Sequence, residues 1–204
     1  MNNKLYSLWL CASIIIIYIL QLIIPGFTNL FVLNQSSFPE IWRFVTSIFL
    51  HGSLAHLISN LFALALFGFM LEQLIGTKKF LLVFISTGII ANLVAVNFYS
   101  SSLGASGAIF GIIGTLIIVR PTLVVWAFGM PMPIFIAGIL WAIADTMGLF
   151  VPSEVANIAH LSGLAIGLII GGFLRDWTKK PKLGALKIPE NQMRSWEDSY
   201  IKNQ

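Results

Sequence analysis

Apolar residues in this chain fall into six long runs, divided by short breaks that carry polar residues, glycine or proline. The runs cover about Leu5–Ile24, His51–Leu71, Phe80–Phe98, Leu103–Val119, Ile134–Phe150 and Val155–Leu174. A helix rising 1.5 Å per residue needs about 20 residues to cross a hydrocarbon layer about 30 Å thick, so each run predicts a membrane-spanning helix. The fourth is short, about 17 residues between Ser100-Ser101-Ser102 and Arg120-Pro121, and a short span leaves one end recessed where water must enter. Residues Thr122–Pro133 are apolar but contain Gly129, Pro131 and Pro133, which predicts a membrane-edge loop. The first run is too long for a signal-peptide core and has no small-residue cleavage site before Pro25-Gly26, so it reads as a retained span. From Arg175 the pattern turns polar. The expected organisation is therefore a six-helix membrane core over residues 1–174 and a tail over 175–204.

Composition supports that division. The chain is 57% hydrophobic and 10% charged, against roughly 25% charged residues in a soluble domain. The expected class is an all-α polytopic membrane protein with a short central fourth helix. The single cysteine, Cys11, excludes an intramolecular disulfide and a cysteine-based metal site, and reads as a small buried hydrophobe.

Charge then sets direction. With six spans, both termini share a side with the second and fourth loops. That side holds Lys4, Lys78, Lys79, Arg120, Arg175, Lys179, Lys180, Lys182, Lys187, Arg194 and Lys202, and the other holds only Arg43. The bias predicts cytoplasmic termini of a multi-pass protein in the plasma or inner membrane. The basic tail reads as a solvated, topology-setting segment rather than an arm for nucleic acid or lipid, so no nucleic-acid partner is expected.

This topology places polar residues at one depth. The second, fourth and sixth spans all start from the outer side. His56 and Asn60, Ser106, and His160 lie three to nine residues past those starts, very roughly 5–14 Å deep. Polar and ionisable groups at that depth are costly and read first as functional. In the sixth span His160, Gly163, Gly167 and Gly171 share one face. The fourth has its own small face, Gly104, Gly107, Gly111 and Gly114, with Ser106 at its flank. Glycine-faced helices pack closely, which would bring His160 to Ser106 as an imidazole base to a hydroxyl nucleophile. Asp145 and Glu154 are on the outer side, but nothing in their spacing aims a carboxylate at His160. The expectation is a Ser106–His160 dyad rather than a triad.

The remaining polar residues are read around that pair. Phe110, one turn below Ser106, is either a platform for the His160 ring or plain core filler. His56 and Asn60, at i and i+4, either bond neighbouring helices or, with the Ser106 backbone N–H, bind an oxyanion. Beside Ser106 and His160 the second role is preferred. His51 lies at the membrane edge and is expected to bond loop backbone. Gly104-Ala105-Ser106-Gly107 is not the nucleophile elbow of soluble hydrolases, which has a strand–turn–helix and a glycine two residues after the serine. The histidines lack the His-Glu-x-x-His zinc spacing, so neither metal nor cofactor is expected.

These residues, in this order on these spans, resemble the rhomboid intramembrane serine proteases. The resemblance runs from about Trp42 to Gly171. Trp42-Arg43 resembles the family's first-loop Trp-Arg pair. His51-x4-His56-x3-Asn60 is similar to its second-span pattern, and Glu72 falls where the family often carries an acid at that helix end. Gly104-Ala105-Ser106-Gly107-Ala108-Ile109-Phe110-Gly111 resembles its nucleophile motif, and Ala159-His160-x2-Gly163-x3-Gly167 its base motif.

The resemblance implies a six-span rhomboid-like bundle and a proteolytic Ser106–His160 dyad working through an acyl-enzyme. His56, Asn60 and the Ser106 amide would bind the oxyanion. It also implies a mobile fifth span with an outer cap loop as gate, and a first loop lying partly in the membrane. Substrates would be transmembrane segments with helix-weakening residues, cut near the outer face beside a small residue. Phe110 stands where some members carry tyrosine, which keeps the ring and removes a phenol hydrogen bond. The loop Val151–Val155 is where members vary, and the chain reads as the minimal six-span form.

Two other functions compete. A catalytically inactive rhomboid-like protein that binds membrane proteins would generally lack nucleophile or base, and this chain keeps both. A transporter would carry polar groups through the full depth, whereas Leu61–Leu71 and Gly111–Val119 are nearly all apolar. The pattern predicts a dead-end, water-filled outer cavity within the lipid bilayer.

Overall fold

The computed structural model describes residues 5–151 and 155–175. The tail beyond Arg175, Lys4 and Glu154 lie outside the described residues, as does the middle of the loop Val151–Val155. Among the described residues, four helices are long and apolar enough to cross a membrane: α1 (Tyr6–Ile23), α2 (Leu54–Ile75), α3 (Thr77–Ala95) and α6 (Asn157–Leu174). Two shorter apolar helices complete the bundle, α4 (Ser106–Val119) and α5 (Ile134–Gly148).

The centre of the bundle is α4. Its side chains are buried almost all round, from Gly107 and Ala108 through Ile112 and Leu116 to Val119. At 14 residues it spans about 21 Å, shorter still than its apolar run suggests. The difference lies at its start, where Leu103–Ala105 form a non-helical approach to Ser106.

Glycine decides how α4 meets α6. A Cβ at Gly163 would collide with the Gly107 carbonyl, and one at Gly167 with the Gly111 carbonyl. The two backbones therefore touch directly. Thr115 stitches the pair, its hydroxyl donating to Gly111 O at 2.9 Å and to Gly167 O at 3.1 Å. On its opposite flank α4 receives α3, where Thr87 and Ala91 fill the space beside Gly111 and Gly107.

Polar anchors tie the outer helices to this core. The α1 N-terminus has no side-chain cap of its own. The buried Glu72 carboxylate supplies one from α2, accepting from Tyr6 N at 3.0 Å, Ser7 N at 2.9 Å and Thr77 Oγ1 at 2.8 Å. A negative group there also complements the helix dipole. Within α2, Leu64–Gly68 widens into a π-helical turn where Ser7 of α1 and Phe80 of α3 crowd Gly68.

Two regions between the apolar runs carry structure. The apolar stretch before α5 is a hairpin, β3 (Val124–Ala127) paired antiparallel with β4 (Met130–Pro133). Val125, Ala127 and Met132 point into the core while Val124, Trp126 and Met130 stay exposed. Its two-residue turn holds Phe128 at φ 53° and Gly129 at φ 79°, as the twist of a tight hairpin requires. Alternation with period two, masked by uniformly apolar residues, is the signal the loop reading passes over.

The first loop is the other region. Its strand β1 (Leu33–Asn34) pairs antiparallel with β2 (Ser101–Ser102), which leads into α4. Arg43 is mostly buried, donating from Nη1 to Asn29 O and Val32 O, both at 2.8 Å, and pairing with Glu40. Asn92 of α3 donates to Phe44 O at 2.8 Å and Ser47 Oγ at 3.0 Å. Ser47 O in turn accepts from Gly104 N at 2.9 Å. The loop thereby braces the residues just before Ser106.

Gly163→Val forces a side chain against the Gly107 carbonyl and is expected to destabilise the bundle by about 1–3 kcal/mol. Thermal unfolding in detergent micelles measures this, and an unchanged midpoint would contradict direct backbone contact.

Candidate active site

Ser106 opens α4, and the residue before the helix, Ala105, offers no side-chain cap. The first backbone N–H groups of α4 thus end the helix without a side-chain acceptor, a position suited to negative charge. Gly104, two residues earlier, has φ +120°, a conformation that side-chain-bearing residues rarely adopt.

His160 lies on α6 one turn from its start. Its ring stacks on Phe110, with centroids 4.4 Å apart and planes 6° from parallel. Phe110 is one turn along α4 from Ser106, and Gly107 abuts Gly163. His160 is therefore carried to the flank of α4, with its ring plane held by Phe110 as a platform. Among the described residues no hydrogen bond joins the Ser106 hydroxyl to the His160 ring. Substrate-free sites often tighten such contacts only in the reacting complex.

The expectation that no carboxylate is aimed at His160 is corrected here. Asp145 Oδ1 lies 3.0 Å from His160 Nδ1. Both side chains are shielded, at 10% and 12% exposure. The helices α5 and α6 run antiparallel and meet at their linked ends, where a Cβ at Gly148 would fall 2.6 Å from Asn157 Nδ2. That register brings a residue fifteen positions upstream onto the base. Spacing alone does not reveal it, because the connection between the helices sets the register. The usable signal was the acid itself, since a lone carboxylate in an apolar helix demands a partner.

His56 approaches from α2. Its imidazole packs under Gly104, where a Cβ would sit 2.7 Å from Cε1 and 2.8 Å from Nε2. Ser53 caps the helix by accepting from His56 N at 3.2 Å. Asn60 is buried one turn further on and keeps to its own helix, donating from Nδ2 to His56 O at 2.9 Å. That bond uses one of its two N–H groups and leaves the other to donate elsewhere. His56 is thus brought to the Ser106 approach, while the Asn60 amide is engaged in part with its own backbone.

The His51 backbone is held by α1: Gln21 accepts from His51 N at 3.0 Å and donates to His51 O at 3.2 Å. The ring is 2% exposed and lies edge-on to His56 at 5.0 Å. Gln21 was not singled out from sequence. A glutamine near the end of an apolar span was its only mark.

Fold and site together define a helical membrane protein that carries Ser106 and His160 on two glycine-packed helices. The chain belongs to the rhomboid family: the Rhomboid domain matches residues 39–177. It is 32% identical to "Rhomboid protease GlpG" of Yersinia pseudotuberculosis over 141 residues, which is 67% of this chain and 49% of that protein. It is 31% identical to "RHOMBOID-like protein 6, mitochondrial" of Arabidopsis thaliana over 137 residues, 66% of this chain and 44% of that one. The chain thus spans about half the length of these curated relatives.

Phe110→Leu removes the stacked ring but keeps apolar volume. An aromatic contact of about 0.5–1.5 kcal/mol corresponds to a roughly two- to twelve-fold slower reaction of Ser106 with a fluorophosphonate. An unchanged labelling rate would reduce Phe110 to core filler.

Proposed function

We propose that this chain is an intramembrane serine endopeptidase that cuts transmembrane segments of other membrane proteins near the outer face. The observation that carries the reading is the placement of the His160 ring, stacked on Phe110 one helical turn from Ser106. In this reading all six apolar helices cross the bilayer of the cell membrane, and the basic termini face the cytoplasm.

His160 takes the Ser106 proton on Nε2 as Oγ attacks the scissile carbonyl. The tetrahedral oxyanion is bound by the Ser106 N–H at the uncapped start of α4, with His56 and the second Asn60 N–H as further donors. His160 returns the proton to the departing amine as the C–N bond breaks, leaving an acyl-enzyme. Water then adds to that ester, again through His160, and releases Ser106. The 14-residue α4 supports this course, because a span that short would leave its start recessed and give water a way to Ser106. A substrate helix has its carbonyls bonded internally. It must unwind locally before attack, so glycine or proline near the cut favours cleavage.

Ser106→Ala and His160→Ala are each expected to abolish cleavage of a reporter transmembrane substrate while the protein stays folded. Full cleavage by either variant would sink the assignment, and a folded, inert wild type would favour a binding role instead. Asn60→Ala is expected to lower kcat by about 10²–10³-fold with little change in KM. A loss confined to the unfolding midpoint would make Asn60 a purely structural residue.

A further inference from the structure

The helix α5 is buried unevenly. Near its start Ile134, Ala137 and Gly138 are buried, and Gly138 presses on Ile117 of α4. From residue 139 to residue 150 the one buried side chain is Asp145, while Ile139, Ile143, Met147 and Phe150 are exposed. An acid in that apolar stretch is costly unless partnered. Among the described residues its hydrogen bond goes to His160 Nδ1, and its second oxygen, Oδ2, is buried without a partner. Nothing in this arrangement favours packing, since an apolar residue of similar volume would fill the place without the desolvation cost.

The contact does have a chemical consequence. A carboxylate only accepts hydrogen bonds, so Nδ1 must carry the proton and Nε2 is left as the acceptor. Nε2 is the atom that must take the Ser106 proton. We infer that Asp145 is a positioning residue that selects the Nδ1–H tautomer of His160, orients its ring together with Phe110, and makes the site a Ser–His–Asp arrangement. This inference rests on the protease reading above. When Ser106 Oγ bonds to the carbonyl carbon, its proton passes to Nε2 and the imidazolium forms. The Nδ1 proton stays on the ring, hydrogen-bonded to a carboxylate that remains ionised. Because Asp145 sits on the sparsely buried half of α5, the base is fully oriented only while that half lies against α6.

The test compares wild type with Asp145→Asn, which keeps shape but can donate from its amide and so favours the wrong tautomer. Steady-state cleavage of a reporter transmembrane substrate in liposomes is expected to show kcat lowered by about 10–10²-fold with KM little changed. That is less than the roughly 10⁴-fold loss for a soluble triad, because Phe110 already fixes the ring plane. Fluorophosphonate labelling of Ser106 falls in parallel, and Asp145→Glu, which keeps a carboxylate, restores part of kcat. A wild type that cleaves and is labelled, beside an Asp145→Asn protein with unchanged kcat, overturns the positioning role alone. A wild type that does neither overturns the protease reading and this role with it. Should Asp145→Asn not fold, ¹⁵N spectra of the His160 imidazole in the wild-type protein decide. The Nδ1–H tautomer is expected, and Nε2–H refutes the inference.

Discussion

Everything at the site depends on two helix backbones touching without side chains between them. Gly107 and Gly111 of α4 meet Gly163 and Gly167 of α6 at carbonyl distance. In hydrocarbon there is no hydrophobic drive to associate helices, so close van der Waals packing must hold them. Bare backbone gives the closest approach available, and Thr115 adds a hydrogen bond across it. His160 precedes this row by one turn, so the contact that holds the bundle also fixes where the imidazole sits.

The surrounding elements work on the same centre from other directions. The α3 helix closes the far flank of α4 through Thr87 and Ala91. The chain of contacts from Asn92 through Ser47 to Gly104 braces the approach to Ser106. The Gln21 fork on His51 and the Glu72 cap on α1 hold α1 against the ends of α2. Backbone polar groups inside a membrane protein must be satisfied internally, and these anchors do that. The proposed chemistry also needs water where the bilayer excludes it.

Asp145 is the counterexample to reading a site by motif. The strings around Ser106 and His160 carry a glycine periodicity that states which faces pack, and that packing was legible. His56 has a different signal, its expected depth beside Ser106, and it packs under Gly104. Asp145 belongs to no local pattern, and the Asn60 contact with its own helix and the buried ring of His51 were equally hidden. Each depends on a rotamer or a register that neighbouring helices impose. The hairpin Val124–Pro133 was missed because its apolar residues hide the alternation that marks a strand.

The sequence by itself determined the class of protein, the six apolar helices and the helix faces that carry glycine. Those follow from run length and periodicity, which solvent and helix geometry impose on any chain. Only the tertiary structure decided that the α5 and α6 ends lie in register, that His160 has a carboxylate behind it, and that the first loop pairs with the strand before Ser106. These are contacts between segments far apart in sequence. Their geometry is set by how whole helices pack, and no local string of residues encodes that.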